Sequence, residues 1–145
     1  MARVVARASK QVDAPPERVM EFLRDYQTSR PRILTGNYSA YTVEAGGEGA
    51  GSVIAYHFAA GGRERDYRLR VEESGGELVE RDDLSSFASR WTAEQSASGS
   101  TVAIESSWDG AGGVAGIFEG LFAPLGLRRI YGEMLDKLDV ALASA

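Results

Sequence analysis

Residues 52–71 read SVIAYHFAAGGRERDYRLRV. Apolar and polar residues alternate on both sides of Gly61-Gly62, and a two-residue glycine turn between alternating runs is a hairpin signal. Folding 52–60 onto 63–71 places Ile54 opposite Leu69 and Tyr56 opposite Tyr67. Phe58 falls beside them on the same face, and a one-residue slip would expose all of these groups. The spacing therefore predicts an antiparallel pair with one apolar face.

The same pattern extends in both directions. Tyr38–Glu44, Glu77–Asp82, Phe87–Gln95 and Thr101–Asp109 are further strand-like runs, separated by GGEGAG, SGG, a DLS stretch and SASGS. Short connections between successive strands imply a meander. Folding 87–95 onto 101–109 across Ser98-Gly99 sets Trp91 opposite Ser106, Trp108 opposite Ser89, and Ala93 opposite Ile104. This again gives one apolar face. The run 77–82 has no clear facing by parity. Upstream, Val4–Val12 alternates as a strand with Val4, Ala6, Ala8 and Val12 on one side. Asp13 offers a helix cap, Pro15 and Pro16 suit a first helical turn, and Val19, Met20, Phe22 and Leu23 give a short helix its buried side. The breaker-rich YQTSRPRILTGN predicts a second short helix or a turn-rich loop.

The last third is helical in period: Val114, Ile117, Phe118, Leu121 and Phe122, then Ile130, Met134, Leu135, Leu138 and Leu142. Pro124 predicts a break between the two runs, with the long regular helix after it. Between strand and helix, SWDGAGGVAGIFEG (residues 107–120) contains Gly110, Gly112 and Ala115 in a G-x-G-x-x-A arrangement. A dinucleotide fingerprint needs a second parallel strand after the helix, with an acid roughly 20 residues on. No strand-like run follows here, so the glycines read as a sharp turn from the last strand onto a helix.

Composition narrows the chemistry. The 145 residues carry 21 acids against 16 Lys and Arg, a net charge of −5, which argues against nucleic-acid partners. There is no cysteine, which removes thiolate catalysis and fits a reducing compartment. One histidine and no acids clustered at ligand spacing leave no metal-ligand set. The opening residues lack a signal-peptide core and no run is long enough for membrane insertion, so the expectation is a single cytoplasmic domain of 1–145.

The order of strand, short helices, six-stranded meander and long terminal helix resembles the helix-grip fold of the START-like (SRPBCC) superfamily, which includes polyketide cyclases. QVDAPPERVMEFLRDY (11–26) resembles the family's opening strand–Ala-Pro–helix segment, with Met20 where many members have Trp. EAGGEGAGSVIAYHF (44–58) looks like its glycine turn and following strand, and residues 107–142 resemble the bridge into the terminal helix. The resemblance implies an α+β fold in which a curved antiparallel sheet of about seven strands wraps the long C-terminal helix, with a cavity between them.

On that fold, parity supplies the expected ligand-binding wall: Ile54, Tyr56, Phe58, Tyr67, Leu69, Ser89, Trp91, Ile104, Ser106 and Trp108. Phe118 and Phe122 join them from a lid-like segment, Val114–Phe122, flanked by GAGG and APLG. The indole rings either pack the interior or leave room for a ligand. The implied function is binding or transport of a hydrophobic small molecule (lipid, polyketide or related aromatic) without a cofactor. An aromatase/cyclase-type enzyme and a protein-interaction module using the outer face are the alternatives. For catalysis the candidates are Tyr67, Arg65 and His57. Arg65 shares the parity of Tyr67 and either reaches the pocket mouth or joins solvated cross-strand pairs among Arg63, Arg68, Arg70, Glu64, Asp66 and Glu72. His57 faces away from the cavity unless a bulge near Gly61 reverses it. No carboxylate is placed in apolar surroundings where it would act as acid or base.

Overall fold

Short turns, among them Gly61-Gly62 and Gly75-Gly76, set the successive runs of the meander antiparallel to one another. The computed structural model describes residues 3–109 and 124–144. In it, β1 (Arg3–Val12) is followed by α1 (Pro16–Arg24) and a 3-10 turn (Arg30–Ile33). The meander then runs β2 (Tyr38–Ala45), β3 (Val53–Ala60), β4 (Arg63–Ser74), β5 (Glu77–Asp82), β6 (Ala88–Ser96) and β7 (Gly99–Asp109). The last element is α2 (Pro124–Ala143). The strands form one seven-stranded sheet in the order β1-β7-β6-β5-β4-β3-β2. All six pairings are antiparallel, so the described residues hold no parallel crossover of the kind a dinucleotide site requires. Gly110, Gly112 and Ala115, with the expected lid Val114–Phe122 and its Phe118 and Phe122, lie outside the described residues.

The β3–β4 hairpin has the expected register, with Ile54 opposite Leu69 and Tyr56 opposite Tyr67. The β6–β7 hairpin differs: Trp91 faces Ile104 and Ser89 faces Ser106. Its turn is Ala97-Ser98, because Ser96 pairs with Gly99. Gly99 belongs to the strand at a point of close approach, where a Cβ would meet the Val12 carbonyl oxygen and stand 2.8 Å from the Ala14 nitrogen. The expected register was thus off by two residues, which keeps every side chain on its original face. The inward set survives the correction.

α1 is capped by Pro15 rather than Asp13 and makes no side-chain cap hydrogen bond. Pro16 costs nothing in the first turn, where its missing N–H has no intrahelical partner. Val19, Met20, Phe22 and Leu23 are buried as the periodicity requires. The second short helix is a four-residue 3-10 turn, RPRI, a length typical of such turns. α2 is described from Pro124 and turns Leu127, Ile130, Tyr131, Met134, Leu135, Leu138, Ala141 and Leu142 inward, while the residues on the other side of the expected break lie outside the described ones. It packs on β1 and the 3-10 turn, leaving the inner face of the central strands opposite its buried side. Among the described residues no helix is long and apolar enough to cross a membrane.

Candidate functional site

Alternation on β3, β4, β6 and β7 brings all ten described wall residues onto the inner face. Nine are buried and Tyr56 is half-buried. Within that face the described residues enclose a cavity of about 30 Å³. That is room for about one or two water molecules. Ile54, Tyr56, Leu69, Ser89, Trp91 and Ile104 line it. Phe58, Tyr67, Ser106 and Trp108 sit beside it instead.

Three of those four belong to a train of aromatic rings. Tyr38 meets Phe58 at 4.9 Å between centroids, Tyr67 meets Phe87 at 5.0 Å, and Phe87 meets Trp108 at 6.0 Å. Phe58 and Tyr67 close the train at 6.3 Å, in an edge-to-face arrangement that favours aromatic pairs. Ser106 belongs to a buried hydroxyl chain. Its Oγ lies 2.6 Å from Ser89 Oγ and 2.7 Å from Tyr131 Oη, which ties β6, β7 and α2 together. Burial pushes the Tyr131 phenol above its ordinary pKa.

Sequence reading missed the charged part of the wall. Glu80 on β5 is 2% exposed and Arg30 in the 3-10 turn 5%. Arg30 Nη1 donates to Glu80 Oε2 at 2.8 Å and to the Leu23 carbonyl at 3.0 Å. The Tyr26 hydroxyl donates to the same carboxylate oxygen at 2.6 Å. The guanidinium carbon lies 4.8 Å from the Tyr26 ring centroid and 4.9 Å from that of Trp91, distances of a cation–π contact. Burial is the largest single influence and works against the charge on Arg30, but Glu80 with Tyr26 and Tyr41 together outweigh it and raise the guanidinium pKa. Burial first, and then Glu80, raises that of Tyr26. Glu80 corrects the expectation that no carboxylate sits in apolar surroundings. Tyr38, Tyr41, Leu34, Met134 and Tyr131 also line the cavity.

Of the three catalytic candidates, Arg65 and Tyr67 stand together and His57 lies apart on the other face. Arg65 is neither at an open mouth nor in a solvated pair. Its Nη2 lies 2.7 Å from Asp82 Oδ2, with side-chain exposures of 10% and 0%. Its guanidinium carbon stands 4.2 Å from the Tyr67 ring centroid. Ser85 Oγ donates to the same Asp82 oxygen at 2.7 Å, and Asp82 Oδ1 accepts the Arg68 backbone N–H at 3.1 Å. Tyr67 is pushed up to about 12 by burial, with Arg65 pulling the other way. His57 lies on the outer face, its Nδ1 2.7 Å from Asp66 Oδ1 and its Nε2 2.9 Å from Glu64 Oε1. Those two acids hold it, and no bulge turns it inward: β3 and β4 pair without a shift from Val53 to Ala60. Among the described residues no group of three or more histidines or acids is arranged to hold a metal ion.

The comparisons agree with this architecture. The family described as "Polyketide cyclase / dehydrase and lipid transport" matches residues 3–143. The solution structure of KanY protein (ms6282) is 42% identical, with a TM-score of 0.88 and 99% of each chain covered. TTHA0849 from Thermus thermophilus is 17% identical at a TM-score of 0.74, covering 97% of this chain and 98% of its own. The Panax ginseng major latex-like protein 151 is 9% identical at 0.71, covering 97% and 96%. These last two likenesses speak for the fold alone. No curated protein matches the sequence significantly. An inward aromatic face under a long helix, matched by the family's sequence pattern over nearly all of its length, makes this chain a member of the polyketide cyclase/dehydrase and lipid transport family, of the START-like type.

Proposed function

We propose that the chain, acting as a single domain, binds or carries a hydrophobic small molecule (a lipid, polyketide or related aromatic) between the inner face of the sheet and α2. The observation that carries this reading is the cavity at that junction. Apolar groups of Ile54, Leu69, Trp91, Ile104 and Met134 surround a few polar ones, the usual make-up of a ligand site. At about 30 Å³ the cavity marks where a ligand starts rather than its full outline. A ligand larger than this cavity must part α2 from the central strands and break the contact between Ser106 and Tyr131. Each 300 Å² of apolar ligand surface buried there contributes about 7.5 kcal/mol before ordering costs. The absence of cysteine suits a cytoplasmic setting for this role.

Binding is favoured over cyclase chemistry by the state of the interior groups. The Tyr41 and Tyr67 phenols are pushed up to about 12, chiefly by burial, which makes them poor proton donors near neutrality. Arg30 and Glu80 neutralise each other. Native mass spectrometry of freshly purified protein, with solvent extraction of whatever is released, tests the reading. A stoichiometric apolar adduct supports it. Protein that stays bare, and that takes up no added fatty acid or aromatic ketone, refutes it.

A further inference from the structure

Two buried N–H donors at the cavity, Arg30 Nε and Trp91 Nε1, have no hydrogen-bond partner among the described residues. Both side chains line the cavity, and Trp91 is fully buried. An unmatched buried donor is costly, so each of these calls for an acceptor. Several of the protein's own acceptors nearby are engaged. Glu80 Oε2 takes Tyr26 and Arg30 Nη1, while the Ser89, Ser106 and Tyr131 hydroxyls bond to one another. The cavity that these two side chains line offers about 30 Å³, enough for one or two oxygen-sized groups.

We propose that this cavity is a recognition site for a neutral acceptor oxygen, the carbonyl or hydroxyl of a ligand, which satisfies Arg30 Nε–H and Trp91 Nε1–H. A water molecule supplies the same acceptor in the free protein. The inference rests on the reading of the interior as a ligand site and names the polar end of what enters it. Neutrality follows from charge. Arg30 is already matched by Glu80 at 2.8 Å, so a ligand carboxylate would add a second anion beside Glu80 where little water screens it. The ligand class is therefore an apolar ring or chain carrying an inward-pointing ketone, aldehyde or alcohol.

The test uses 2-acetylnaphthalene and 2-isopropenylnaphthalene, which share a shape and differ in a C=O replaced by C=CH₂. Affinity is read by calorimetry, and the Trp91 indole N–H by NMR. The ketone is expected to bind at least about 10-fold tighter, although the alkene is the more apolar, and to move the indole proton downfield. 2-Naphthoate is expected to bind more weakly than the ketone. An alkene bound as tightly as the ketone, with the indole proton unmoved, overturns the oxygen site and leaves the ligand reading standing. Naphthoate bound more tightly than the ketone overturns its neutrality. If neither naphthalene binds, the free protein decides the oxygen site. An NOE from water to the Trp91 indole proton supports it, and the lack of one overturns it.

Discussion

Replacing Glu80 with leucine should be among the most damaging single substitutions in this chain, and replacing its partner as well should repair most of the damage. Glu80→Leu strands the Arg30 guanidinium, whose side chain is 6% exposed, and strips the Tyr26 hydroxyl of its acceptor. Removing one member of a buried ion pair costs about 3–5 kcal/mol, and an unsatisfied buried hydroxyl adds about 1–3 kcal/mol. For a chain of this size that lowers the melting temperature by roughly 13–26 °C. In Arg30→Met/Glu80→Leu the stranded charge is gone and the methionine packs between Tyr26 and Trp91. The double variant should then lie within about 2 kcal/mol of the parent, most of the deficit being the Tyr26 hydroxyl. Urea unfolding of the parent, both single variants and the double variant closes the cycle. The expected coupling exceeds about 3 kcal/mol, with the double variant more stable than Glu80→Leu alone. A loss under about 1 kcal/mol for Glu80→Leu, or two single losses that simply add, would refute the buried pair.

Other expectations follow from single contacts. Tyr131→Phe removes the hydroxyl 2.7 Å from Ser106 but leaves Ser106 bonded to Ser89, so urea unfolding should show a loss of about 1 kcal/mol. Gly99→Ala sets a methyl against the backbone of Val12 and Ala14 and should cost about 1–3 kcal/mol or more, read as a lower thermal midpoint. His57 is held above its ordinary 6.5 by its hydrogen bond to Asp66 and then by Glu64. The folded state binds that proton more tightly than the unfolded chain. Its stabilisation is therefore complete below pH 6.5 and is lost as the pH rises through the raised value. NMR titration of the ring should give a midpoint above 6.5, and His57→Gln should remove this part of the stability–pH slope; a midpoint at or below 6.5 contradicts the contacts.

The sheet was legible because its information is local. Gly61-Gly62 fixes one hairpin, and alternation fixes which side chains turn inward even where the β6–β7 register was read two residues away from its true position. Burial along β5 hid the charged wall. Leu78, Val79 and Glu80 are all buried, so alternation gives no contrast between the two faces. A signal was nevertheless present. Folding 77–82 back across Gly75-Gly76 sets Glu80 opposite Val71 and Asp82 opposite Leu69, on the inner face. Arg30 had no such signal. It sits in a proline-containing turn whose approach to Glu80, 50 residues away in sequence, is set only by tertiary packing. Tyr131 and Met134 lie one turn apart on the buried side of α2, but period alone does not say which buried helix residues meet a cavity rather than a strand.

Whether the interior opens for an apolar ligand is read by a ¹⁵N–¹H NMR titration with 2-acetylnaphthalene. Saturable shifts concentrated at Ile54, Leu69, Trp91, Ile104 and Met134, with the outward Arg70, Arg81 and Arg90 unmoved, are the predicted result. Shifts confined to the outer face, or none up to the solubility limit, would contradict it.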